Sequence, residues 1–336
     1  MNNKYLTIFL IILFIKINDM NSQSNLKLLD IQLANYDYGY TSKTLTFESQ
    51  NQTLEMSYIY EKPDNFNGQH VMLLHGKNFN GAYWQTTIQA LLKEGFAVVV
   101  PDQIGFGKST KPLHFQYTFQ ELAKNTKLIL EHEHIDKISV LGHSMGGMLA
   151  TRFTLMYPET VDKFIMENPI GLEDWKLKVP YRPINFWYAN ELKANYESLK
   201  NYQLVSYYDN HWKPEYDEWV NILAGWTLNS QYPLIAWNNA LTFEMIFTQP
   251  VVYEFPNIKN KTLLIIGTRD RTAMATFLVS KEVASTMGRY DLLGKSTQKA
   301  IAGSKLVEIP GVGHLPHIEA FDKFIQPLID FLEGKN

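Results

Sequence analysis

The stretch Gly142-His143-Ser144-Met145-Gly146-Gly147 crowds small residues around one hydroxyl. It follows the apolar run Ile138 to Leu141 and precedes a helix-like stretch. Glycine loses more conformational freedom on folding than any other residue, so this clustering points to a required geometry. A serine held on a sharp strand-to-helix turn presents its hydroxyl at the carboxyl edge of a sheet. Gly142 and Gly146 remove side chains that would collide as strand and helix approach. The main-chain N–H of Met145, at the helix start, then faces the place where a negatively charged oxygen would form, and a helix N-terminus favours that charge. The pattern reads as a nucleophile elbow. Its plainer reading is a packing turn whose serine only caps the helix.

A serine hydroxyl is a weak nucleophile and needs a base, which in turn needs an orienting group. In "EIPGVGHLPHIE", His314 lies in a loop directly after an apolar run and behind two glycines. His317 is the rival base, placed at the start of the last helix. For the acid, "LLIIGTRDRTA" puts Asp270 just beyond another apolar run, with Glu167, after "FIM", as the rival. Ser144, Asp270 and His314 are preferred, because all three then lie at carboxyl ends of parallel strands, where open α/β sheets place their ligands. A second donor for an oxyanion is expected after "VMLLHG": the N–H of Lys77 first, that of Asn78 second. His75, at the end of that run, reads as a buried structural histidine.

The elements that must position these groups follow from the apolar pattern. "HVMLLHG", "FAVVVPD", "ISVLGHS", "VDKFIMENP", "KTLLIIGTRD" and "SKLVEIPGVGH" are short continuous runs, as strands buried on both faces would be. Helical stretches at 82–94, 118–133 and 146–157 alternate with them, which predicts a mostly parallel sheet covered on both faces. Ahead of these, "LKLLDIQLANY" and "KTLTFESQNQTLEMSYIYEK" read as strands, the second with a turn at Ser49–Gln52. The rhythm breaks over 172–250, which holds six of the seven tryptophans and shows helical patterns at about 190–205 and 214–225. A final amphipathic helix is expected at 318–334. The α/β core, 25–171 and 251–336, is therefore interrupted by an aromatic helical insertion at 172–250.

Composition narrows the function classes. The chain has 336 residues, 45% of them apolar, which suffices for a large core. A net charge of −3 with 19% charged residues lacks the basic footprint of a nucleic-acid binder. With no cysteine, disulfides, thiolate metal sites and thiol nucleophiles are excluded. "EHEH", Glu131 to His134, lacks ligand spacing on one helix face and reads as solvated surface. Lys4 followed by the apolar run Tyr5 to Ile15 suits a signal peptide over 1–24, hence export to the periplasm or beyond, with no stable membrane span once the leader is removed. Retention of that segment as an anchor, or as a buried first helix, is the alternative.

"LLHGKNFNGAYW", "PDQIGFGKSTKP", "VLGHSMGG", "LLIIGTRD" and "GVGHLPHIEAFDKF" together resemble the α/β-hydrolase superfamily, from about residue 45 to the end outside the insertion. The resemblance implies the α/β-hydrolase fold, a catalytic triad of Ser144, Asp270 and His314, an oxyanion hole from the Lys77 and Met145 N–H groups, and a cap formed by 172–250. "DQIGFGKSTKP" is similar to a loop of epoxide-hydrolase-like and haloalkane-dehalogenase-like members. Those carry an aspartate nucleophile, and Ser144 argues against both activities. One departure stands out: after His75-Gly76, family members often have proline or further glycine, and this chain has Lys-Asn-Phe-Asn. The chemistry implied is acyl transfer to water with no metal or organic cofactor, on a small-molecule ester whose apolar portion meets the aromatic insertion. Carbon–carbon bonds, lactones, amides or peptides are the alternatives on the same triad, and a non-catalytic binding protein on this fold is the remote one.

Overall fold

Runs of Val, Ile and Leu become the strands of one eight-stranded sheet in the computed structural model, which describes residues 26–335. The expected leader at 1–24 lies outside the described residues. The strands are β1 Ser42–Ser49, β2 Gln52–Glu61, β3 His70–Leu74, β4 Ala97–Pro101, β5 Ile138–His143, β6 Val161–Glu167, β7 Lys261–Gly267 and β8 Lys305–Ile309, in the order β1-β2-β4-β3-β5-β6-β7-β8. β1 and β2 form an antiparallel hairpin, and β2 also runs antiparallel to β4. Every other pairing is parallel. The hairpin turn falls at Gln50 and Asn51, both at positive φ, which matches the strand twist.

Helices α1 Gln85–Lys93, α2 Phe119–His132 and α3 Met145–Met156 alternate with the strands, and α8 Tyr290–Ala300 and α9 Phe321–Glu333 close the chain. Buried clusters on the two sides of the sheet draw on alternate residues of the same strands: Met72 and Leu74 on one side, Val71 and Leu73 on the other. Between β6 and β7 lie α4 Ile184–Glu191, α5 Tyr196–Ser206, α6 Asp217–Thr227 and α7 Tyr232–Thr248. Helix α7 went unread in the sequence because apolar residues run nearly all round it, leaving no 3.6-residue stripe.

Three expectations change. "LKLLDIQLANY" forms turns rather than a strand. Its backbone bonds to α6 instead of a sheet edge: Leu29 N–H donates to Gly225 O at 3.2 Å, and Trp226 Nε1–H to Asp30 O at 3.0 Å. The last helix is split, with one turn at Pro316–Glu319 before α9. Within "EHEH", Glu133 is not free surface, since its carboxylate accepts from Lys43 Nζ at 2.9 Å and from the Tyr58 hydroxyl. Among the described residues, no helix is long and apolar enough to cross a membrane.

Candidate active site

Ser144 sits between the end of β5 and the start of α3 with φ 55° and ψ −121°, a conformation that non-glycine residues rarely adopt. The crowding around it explains the neighbouring glycines. A Cβ on Gly142 would lie 2.1 Å from the Gly146 carbonyl oxygen, and one on Gly146 2.1 Å from that of Leu74. The elbow is pinned by its own carbonyl, which accepts from Gly147 N–H at 2.9 Å and Ile170 N–H at 3.1 Å. The strain at Ser144 is thus held by hydrogen bonds from α3 and from the loop after β6, and by close packing of the start of α3 against β3 and β5.

The loops after β7 and β8 bring Asp270 and His314 to this elbow. His314 Nε2 is 3.0 Å from Ser144 Oγ, and its Nδ1 is 2.7 Å from Asp270 Oδ2. Asp270 and His314 are fully buried, and Ser144 keeps only a small exposed fraction. Burial alone would raise the Asp270 carboxyl. The His314 charge and hydrogen bond, with further bonds from Thr272 N–H and Asn168, outweigh burial and hold its pKa below the usual carboxylate value. An ionised Asp270 accepting from Nδ1–H leaves Nε2 as the ring nitrogen that faces the serine.

Asn168, just past β6, was missed in the sequence. Its Nδ2 donates to Asp270 Oδ2 at 2.9 Å and its Oδ1 accepts from Gly267 N–H at 2.7 Å, so it fixes the acid against the end of β7. The only sequence signal was its place at a strand end beside Glu167. Glu167 and His317, the rival acid and base, pair with each other instead: Glu167 Oε1 accepts from His317 Nδ1 and from His317 N–H, both at 2.8 Å. His75 is buried, its Nδ1 donating to Gly76 O and its Nε2 accepting from Gln103 N–H. Burial lowers its pKa, which fits a neutral structural ring.

Lys77 lies in the loop after β3, and Met145 is the first residue of α3. Among the described residues, neither main-chain N–H donates to a protein acceptor. The Lys77 side chain turns toward the insertion, its Nζ 3.4 Å from Glu191 Oε1. Asn78 Nδ2 donates to the Tyr207 hydroxyl at 2.9 Å, and the Tyr207 ring stacks on His314 with centroids 4.8 Å apart.

Ser144 opens into a small pocket of about 70 Å³. The insertion contributes Trp175, Tyr202, Tyr207, Phe243 and Ile246 to its walls, and the core adds Ile170 and Met274. The rest of the insertion's tryptophans lie elsewhere: Trp187 and Trp226 are buried within the hydrophobic clusters.

Residues 69–321 match the alpha/beta hydrolase fold family, and the chain belongs to that family. It is similar to a probable hydrolytic enzyme from Pseudomonas aeruginosa PAO1, with 44% identity and a TM-score of 0.90 over 91% of this chain and 99% of that one. Lipase 1 of Psychrobacter immobilis is 25% identical over 302 residues, which is 84% of this chain and 86% of the lipase. A 2-hydroxy-6-oxononadienedioate/2-hydroxy-6-oxononatrienedioate hydrolase of Comamonas testosteroni is 28% identical over 218 residues, 61% of this chain and 72% of that protein. The protein is a hydrolase of this fold.

Proposed function

We propose that the protein is a serine hydrolase that cleaves carboxylic esters with a hydrophobic portion, through an acyl-enzyme on Ser144. The observation that carries this reading is the unbroken line Ser144 Oγ, His314, Asp270, at 3.0 and 2.7 Å, in a pocket walled mainly by apolar side chains. His314 Nε2 takes the serine proton as Oγ attacks the ester carbonyl. Asp270 holds the imidazole in the required tautomer and stabilises its charged form. The Lys77 and Met145 N–H groups, unengaged by protein acceptors among the described residues, receive the oxyanion. His314 then returns the proton to the leaving alcohol, and a water repeats the cycle on the acyl-enzyme. No step calls for a metal or an organic cofactor.

A p-nitrophenyl ester series of increasing acyl length, run on wild type and Ser144→Ala, tests the reading. Turnover that peaks at one chain length and is lost in the variant is expected, and wild-type turnover no faster than that of Ser144→Ala refutes it. The similarity to the Comamonas testosteroni hydrolase favours carbon–carbon bond hydrolysis as the second reading. Product analysis with a vinylogous diketone acid would separate the two. Export is part of the same proposal, on the strength of Lys4 and the run Tyr5 to Ile15. N-terminal sequencing of protein from fractionated cells decides it, and an intact Met1 in the cytoplasmic fraction alone contradicts it.

A further inference from the structure

A chain of hydrogen bonds with fixed directions runs behind Ser144. The His314 carbonyl can only accept, so His143 Nε2–H donates to it, at 2.8 Å. Buried and flanked by His314 and His317, the His143 ring has its pKa held well below the usual histidine value and is neutral. Its Nδ1 is therefore an acceptor, and the Tyr83 hydroxyl donates to it at 3.1 Å. The same hydroxyl oxygen accepts the N–H of Gly76 at 3.0 Å. Gly76 directly precedes Lys77, and His143 directly precedes Ser144. Three separate chain segments are thus joined by two side chains: the loop after β3, the elbow, and the loop that carries His314.

We propose that Tyr83 and His143 are positioning residues that hold the oxyanion-side loop, the Ser144 hydroxyl and the His314 ring in one register. The proposal rests on the serine-hydrolase reading and adds residues that the triad does not include. Little slack exists at the junction: a Cβ on Gly76 would lie 3.0 Å from Ser144 Cβ and 3.2 Å from His143 Nδ1. The His143 and His314 ring centroids are 4.8 Å apart. A neutral His143 places no second cation beside His314 when His314 takes the serine proton. Because His143 bonds to the His314 carbonyl and not to its ring, both ring nitrogens stay free for Asp270 and Ser144.

The test compares fluorophosphonate labelling rates and short-chain ester kinetics for wild type, His143→Leu, His143→Gln and Tyr83→Phe. Leucine removes both hydrogen bonds of the ring, glutamine keeps one donor and one acceptor, and phenylalanine removes only the hydroxyl. Displacing reacting groups by about 1 Å costs roughly 100-fold, so His143→Leu is expected to lose about 10- to 100-fold in labelling rate and kcat. KM should stay within about threefold, with most of the loss restored by glutamine and Tyr83→Phe falling between. Labelling of His143→Leu and Tyr83→Phe at the wild-type rate overturns the proposal. So does His143→Gln no better than leucine, or a loss confined to KM and melting temperature. If His143→Leu does not fold, Tyr83→Phe, which keeps the ring, decides against wild type. Failure of wild type to label at Ser144 is a different result and removes the serine-hydrolase reading itself.

Discussion

Two imidazole–carboxylate pairs lie side by side at the carboxyl edge of this sheet. His314 meets Asp270 at 2.7 Å and His317 meets Glu167 at 2.8 Å, with all four side chains buried. Their chemistry is the same, and only their surroundings differ. His314 Nε2 faces Ser144 Oγ in the pocket. His317 Nε2 has no hydrogen-bond partner among the described residues, and its ring stacks on Trp84 with centroids 4.3 Å apart. A buried carboxylate–histidine pair is thus not itself a site. What distinguishes the first is the strained serine at its far nitrogen, which itself lines the pocket.

The sharpest way to break this comparison is to remove each histidine in turn. His314→Ala is expected to lower kcat/KM by about 10⁴-fold or more, the cost of deleting a triad base. His317→Ala should leave kcat within about tenfold, while loss of the buried hydrogen bond to Glu167 lowers stability by about 1–3 kcal/mol. Urea unfolding beside ester turnover reads both quantities, and an exchange of the two losses would assign the base to His317 instead. Next are the acids. Asp270→Asn reverses the tautomer preference of His314 and should cost about 10⁴-fold in kcat. Glu167→Gln keeps an acceptor for the His317 N–H groups and should cost about 1–3 kcal/mol of stability, with kcat within about tenfold.

The smallest effect on turnover is expected at Lys111, a buried lysine with no carboxylate in contact among the described residues. Lys111 Nζ donates to the carbonyls of Phe106, Gly107 and Ser109. Burial lowers its pKa to about 7, against the opposing pull of Asp102 and Asp30. Between that value and the ordinary lysine value of 10.5, the unfolded chain keeps a proton that the folded chain has released. Stability should therefore rise with pH across this window, by at most about 1.4 kcal/mol per pH unit. Lys111→Met should lack that rise. Equal pH slopes for the two proteins would show that the carbonyls keep Lys111 charged.

The inner strands were legible because both of their faces are buried, which turns them into unbroken apolar runs such as Val98 to Val100. The elbow was legible because backbone crowding admits only glycine at Gly142 and Gly146. Asn168 was not, since a single polar residue at a strand end carries no periodicity, and only the fold brings it to Asp270. Nor could sequence show Tyr83 bonding to His143, 60 positions away. The segment after the expected leader misled for the opposite reason. Its leucines and isoleucine suit a strand, but Leu29 finds its partner in the α6 backbone at Gly225, where a Cβ would lie 2.6 Å from the Lys27 carbonyl. Tertiary contact outweighed local propensity there.

On the proposed mechanism, only His314–Asp270 of the two pairs activates a nucleophile, and that nucleophile is Ser144. Fluorophosphonate labelling followed by peptide mass mapping of wild type, His314→Ala and His317→Ala tests it most directly. A single adduct on Ser144, lost in His314→Ala and retained in His317→Ala, is expected. An adduct on another residue, or labelling that survives His314→Ala and disappears in His317→Ala, would contradict it.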